Sequence, residues 1–142
     1  MKGLVHFSIV GLTLLLSACA SGPKLSEISS TLAKIPEEQG RVYFYRTQLF
    51  GLAVQPSINL NGETVGSCVP SGVFFKDVPP GNYKASTETE VERQLTFTMS
   101  VAEQKYVRCY ISLGLLVGRA NLELVSPSEA KEEIDSLTYT GK

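Results

Sequence analysis

The chain has 142 residues, with 13 basic and 14 acidic side chains and a formal net charge of −1. That balance offers nucleic acid no basic face, and the length suits one domain with a real core behind a short leader. The single histidine, His6, lies in the apolar leader. Once the leader is removed, His-based acid–base, nucleophilic and metal-ligand chemistry drop out.

Residues 1–18 have the three parts of a secretory signal. Lys2 is the positive start, Leu4 to Leu16 the apolar run, and Ser17-Ala18 the small-residue cleavage zone. The run is too short to span a bilayer, which takes about 20 apolar residues. Leu16-Ser17-Ala18-Cys19 resembles the lipobox of bacterial lipoproteins. The resemblance implies that Cys19 carries a thioether-linked diacylglycerol and becomes the N-terminus after cleavage, its amine often acylated too. Each buried methylene contributes about 0.8 kcal/mol, so two or three acyl chains hold a protein firmly where one does not. Ala20 is not the Asp that resembles an inner-membrane retention signal in enteric bacteria. The expected address is therefore the outer membrane, facing the periplasm.

Residues 19–40 read as the lipidated cysteine and a tether. Ala20-Ser21-Gly22-Pro23 is small and breaker-rich. Leu25 to Ala33 can form a short helix with Leu25, Ile28 and Leu32 on one stripe, ended by Pro36 and Gly40. Such a segment would let the domain stand off the bilayer.

From Arg41 the period changes to two, the signature of strands. Arg41 to Arg46 is β-branched and aromatic. Pro56–Leu60 and Glu63–Val69 flank Asn61-Gly62, the strongest short hairpin signal. Gly72–Val78 follows, then Pro79-Pro80-Gly81-Asn82, with proline and glycine at the centre of an expected type II turn. Tyr83–Thr89 is a further strand. Leu95, Phe97, Met99 and Val101 alternate with polar residues, as do Val107, Cys109, Ile111 and Leu113. Asn121–Val125 is the last strand of the series. Ser126-Pro127-Ser128-Glu129 then opens a helix expected over Pro127–Leu137, with Ala130, Ile134 and Leu137 turned inward. Beyond it, residues 138–142 fray or add a short strand. Seven to eight short strands at close spacing argue a mainly antiparallel β-sandwich or barrel with a C-terminal helix, spanning 41–142.

The segments GRVYFYR, INLNGETVGSCVPSGVFFKDVPPGNY and KYVRCYI together resemble a bacterial lipoprotein family, the domain-of-unknown-function 2846 group, across about residues 39–125. The middle portion also resembles the small β-sandwich modules that carry a PEGA-type motif. The resemblance implies a β-sandwich on a lipid anchor, and it carries no catalytic residue over.

Three groups of residues invite a functional reading. Cys68 and Cys109 are an isolated pair in an oxidising compartment. A disulfide between them would stabilise by about 4 kcal/mol in the chain-entropy model. Two separate buried thiols and a reactive thiolate stay open as alternatives. Tyr43, Tyr45, Tyr106 and Tyr110 would form an exposed aromatic face for a sugar or a protein if their strands are neighbours, or pack within the sheet. The connections Gln48–Val54 and Leu113–Gly118 are more apolar than loops should be. Either Phe50, Leu52, Leu115 and Leu116 mark an interaction surface, or these segments fold back as caps on the core. Glu88, Glu90 and Glu92 read as a solvated strand end with Arg93 as their partner, not as a calcium site, which needs six or more oxygen ligands.

No metal ligand set, cofactor motif or catalytic constellation is visible in the sequence. The expected role is a non-enzymatic accessory module, bound to a membrane through its lipid and to an envelope protein partner. A small-ligand or cell-wall glycan binder is the alternative.

Overall fold

A computed structural model describes residues 20–141, so the leader and Cys19 lie outside the described residues. Nine strands form two sheets: β1 (Gly40–Arg46), β2 (Ser57–Leu60), β3 (Glu63–Ser67), β4 (Gly72–Val78), β5 (Gly81–Glu88), β6 (Glu92–Met99), β7 (Gln104–Ser112), β8 (Arg119–Val125) and β9 (Thr138–Tyr139). The first sheet has the order β8-β7-β1-β4-β9 and the second β3-β2-β5-β6. Two helices, α1 (Leu25–Ile28) and α2 (Pro127–Ile134), cover the outer face of the five-stranded sheet.

The chain crosses between sheets after β1, β3, β4 and β6. These crossings return β7 alongside β1 in the same direction, Tyr43 opposite Tyr106 and Tyr45 opposite Arg108. The β4–β9 pair is also parallel, and the other strand pairings are antiparallel, so the sandwich is mainly antiparallel, as the strand pattern predicts. A parallel pair needs a long crossover between its strands. Here the second sheet supplies it.

β1 is buried at every position, which an amphipathic strand is not. Its two faces meet different layers. Val42 and Phe44 enter the core between the sheets, with Ile58, Phe74, Met99 and Val107. Tyr43 and Tyr45 enter a second core under the helices, with Leu25, Ala130, Ile134 and Leu137. Tyr43 stacks on Tyr106 at 5.2 Å between ring centroids. The tyrosine strands are indeed neighbours, but the helices bury Tyr43, Tyr45 and Tyr106, to 9 %, 2 % and 2 % exposure. Of the two readings open in the sequence, packing is the one realised for these three tyrosines, and they do not form an exposed aromatic face.

Local signals shaped the connections. Asn61 and Gly62 have φ of 50° and 86°, the two left-handed residues of the hairpin turn between β2 and β3. Gly81 has φ of 153°, unlike the roughly +80° of a type II turn, and Pro79-Pro80 carries the chain from one sheet to the other. Ser126 caps α2 by accepting the Glu129 amide, with Pro127 in the first turn. The helix ends at Ile134, short of the expected Leu137, because the chain then turns to add β9.

Arg108 ties α2 to the sheet through Glu123, Glu129 and Glu133. The Tyr45 hydroxyl donates to Glu133 at 2.5 Å, and burial followed by this bond holds its pKa above the usual phenol range. Arg41 forms a two-pronged bond to Asp77, at 2.6 and 2.8 Å, with its guanidinium over the Phe75 ring.

The segment expected to be a tether is instead packed. The Ala20 amide donates to the Pro70 carbonyl, the Tyr139 amide to Pro23, and the Leu25 amide to Leu137. Leu25 is 5 % exposed, and the Ala33 carbonyl accepts from Arg41. The helix covers only Leu25–Ile28, followed by turns.

Candidate functional site

β1, β7 and β5 all end at one pole of the sandwich. Their following loops are residues 47–56, 113–118 and 89–91, and the residues before β4 lie there too. Four features organise this pole from the inside.

The disulfide is the first. Cys68 follows β3 and Cys109 lies on β7, and the two sulfurs are bonded across the core with Cα atoms 6.0 Å apart. Both residues are 1 % exposed. The bond joins the ends of a 41-residue separation and staples one sheet to the other. Of the three readings open in the sequence, the disulfide is the one realised.

Arg46 is the second. It is fully buried, with no carboxylate among the groups that bond it. Its Nε donates to the Gln48 carbonyl, Nη1 to Val54 and Cys68, and Nη2 to Phe50 and Gly51. An arginine has five N–H donors, and all five are used on backbone carbonyls. Burial lowers its pKa, yet the guanidinium stays protonated because its starting value is so high. One cation thus shapes the loop after β1. Alternation carried a signal for it, since Arg46 shares the inward face with Val42 and Phe44, where a charge must be fully bonded.

Glu90 is the third, and it does the reverse. Its carboxylate sits in the turn between β5 and β6 and accepts the amides of Leu115 (2.9 Å), Leu116, Val117 (2.6 Å) and Gly118 (3.3 Å). Successive amides aimed at one anion form a backbone nest. The Val117, Leu115 and Leu116 amides lower the Glu90 pKa to about 2. Arg119 Nε is 3.9 Å from it. A Cβ on Gly114 would lie 2.7 Å from the Glu90 carboxylate, so the glycine makes the approach possible. The Gly114–Gly118 spacing thus closes a loop around a carboxylate. The reading of Glu88, Glu90 and Glu92 as one solvated strand end is corrected for Glu90, which lies in the turn between β5 and β6 and has Arg119 as the cation beside it.

Gln48 joins the two loops. Its side-chain amide exchanges two hydrogen bonds with the backbone of Ile111, and Gly51 and Gly118 both pack on the Ile111 side chain.

With the polar backbone turned inward, the side chains turn outward. Leu115 and Leu116 are 86 % and 92 % exposed. Leu113, Val117, Leu49, Phe50 and Leu52 are exposed beside them. These are surface residues, not caps on the core. Sequence reasoning singled out the apolar side chains but missed Arg46, Gln48 and Glu90, which present them.

Among the described residues no group of three His, Cys, Asp or Glu is placed to hold a metal ion, and no helix is long and apolar enough to cross a membrane.

Comparison with known proteins adds a family. Residues 36–120 match the model described as "Protein of unknown function (DUF2846)". An "Uncharacterized protein" of Haemophilus influenzae is 36% identical over 135 residues, covering 92% of this chain and 80% of that protein. The match reaches from the segment before β1 into the start of β8 and so takes in both loops and the disulfide, and the chain belongs to the DUF2846 family.

Proposed function

We propose that this chain is a lipid-anchored protein of the bacterial cell envelope, acylated at Cys19, held at the outer membrane facing the periplasm, and serving as a non-enzymatic interaction or accessory module. One observation carries the reading. The apolar leader ends in Leu16-Ser17-Ala18-Cys19, and the packed domain begins at the next residue, Ala20, whose amide is already bonded to Pro70. Cleavage before Cys19 removes His6, the only histidine, and with it the commonest acid–base side chain. A disulfide between Cys68 and Cys109 suits an oxidising compartment. An exposed apolar pole suits a protein that works by contact.

The test is metabolic labelling of the full chain with a clickable fatty acid, followed by mass analysis of the mature N-terminus. The mature wild-type chain should begin at acylated Cys19, and Cys19→Ala should carry no label. A mature chain that starts elsewhere, or starts there without acyl groups, overturns the reading. Cross-linking in intact cells should recover an envelope protein with the wild-type chain.

A second reading, a binder of small ligands or cell-wall glycans, draws on one observation. An open groove of ≈ 620 Å³ runs between α1 and α2, with Arg41, Tyr43, Gln104 and Tyr106 among its walls. A thermal-shift screen with muropeptides, sugars and divalent ions tests it, and a flat response to all of them eliminates it.

A further inference from the structure

Ala20, the first described residue, and the apolar loops belong to the same end of the molecule. Ala20, one residue after Cys19, bonds the carbonyl of Pro70. Pro70 lies between Cys68, whose carbonyl is held by Arg46, and Gly72, which pairs with Arg46 across β1 and β4. Arg46 in turn holds the carbonyls of Phe50 and Gly51. Through Gln48 and Ile111 that loop adjoins Leu113–Gly118. No free spacer separates the anchor point from this pole. An acyl chain on Cys19 therefore ties this pole to the bilayer through Ala20, a single residue from the lipid.

We infer that this pole is a membrane-docking face: the loops carrying Leu49, Phe50, Leu115 and Leu116 enter the interface of the bilayer that holds the acyl chains, and the domain lies against the membrane in one orientation. The inference rests on the anchoring at Cys19 proposed above. Two further features favour a lipid occupant over water. In an apolar medium a backbone polar group without a partner is costly. Here Arg46 takes five carbonyls and Glu90 takes four amides, so both loops offer side chains outward while much of their polar backbone is bonded inward. The side chains offered are also those of interfacial insertion, three leucines and a phenylalanine, 52–92 % exposed. The neighbouring turn carries exposed Glu88 and Glu92. The contact is therefore with the neutral interface and does not depend on anionic headgroups.

The chain contains no tryptophan, so a single one reports its own surroundings. The full lipidated protein would be prepared as Leu116→Trp and, as a reference at the opposite pole, as Val101→Trp, a residue 56 % exposed in the turn between β6 and β7. Each is reconstituted into phosphatidylcholine vesicles whose chains are brominated near the interface. Interfacial insertion reaches roughly 5–10 Å into the headgroup boundary. The expected result is loss of about half or more of the Leu116→Trp emission, little loss for Val101→Trp, and no change on adding salt. Leu115→Trp serves as a second reporter should the first fold poorly. Vesicles that carry the protein but leave both loop reporters unquenched overturn the docking face and leave the anchor intact. Equal quenching at the two poles overturns the single orientation. A blue shift that grows with protein concentration without lipid assigns the face to a second copy, and overturns the inference as well. Failure of the wild-type chain to float with vesicles removes the anchor and the docking face together.

Discussion

Replacing Arg46 with lysine keeps the charge and most of the length but removes donors. Arginine supplies five N–H groups and lysine three, so at least two of the carbonyls of Gln48, Phe50, Gly51, Val54 and Cys68 lose their partner. A buried acceptor left unsatisfied costs about 1–3 kcal/mol, which gives a loss of about 2–6 kcal/mol for Arg46→Lys. The native state of such a domain is stable by only about 5–15 kcal/mol, so the loss is a large share of the total. For a domain of this size the melting midpoint should fall on the order of 10–20 °C. Thermal unfolding followed by circular dichroism measures it. Amide exchange should quicken first in residues 48–54, where the carbonyls are released. A midpoint within about 3 °C of wild type, with exchange in that loop unchanged, would show that the five bonds do not hold the pole together.

Two further perturbations bear on the same pole. Cys68→Ala with Cys109→Ala removes closure across a 41-residue separation and should lower stability by about 4 kcal/mol. Urea unfolding with and without reductant checks this, and an identical midpoint for reduced and oxidised wild type would contradict it. Glu90 gives the pH dependence. The amides of Val117, Leu115 and Leu116 lower its folded pKa to about 2, well below the usual carboxylate range. A carboxyl with a depressed folded value stabilises above its unfolded pKa and loses that contribution as pH falls toward the folded one. Protection of the Leu115–Gly118 amides from exchange should therefore be full above about pH 5 and decline toward pH 2. In Glu90→Gln the protection should be weaker at neutral pH and flat across that window. A wild-type profile as flat as the variant's would refute the nest.

Much of the architecture was legible along the chain because it rests on local rules. Asn61-Gly62 made its hairpin, since both residues tolerate left-handed backbone. Ser126-Pro127 started its helix, and Ala130 and Ile134 faced inward at helical spacing, with Leu137 buried just past the helix end. The pairing of Cys68 with Cys109 was one of three readings, and geometry chose it. The site was only half legible. The exposed Phe50, Leu52, Leu115 and Leu116 were visible as misplaced apolar residues. For Tyr43 and Tyr45 the sequence left an exposed face and packing both open, because alternation shows that two residues share a face but not what covers that face; burial under the helices decided it.

The chain alone specifies a set of elements: which segments are strands, where they turn, where one helix is capped, and which residues on each strand share a side. Those follow from backbone sterics and from the period of burial, which act over a few residues. Which strands are neighbours depends on long-range packing, which the folded chain alone reveals. That packing placed β7 parallel to β1, laid two helices over the tyrosines, and brought Ala20 to the pole that Arg46 and Glu90 organise. A buried guanidinium, or a carboxylate held in a turn, finds its backbone partners wherever the fold delivers them. Glu90 finds its amides 25 to 28 positions down the chain, and no local rule reaches that far.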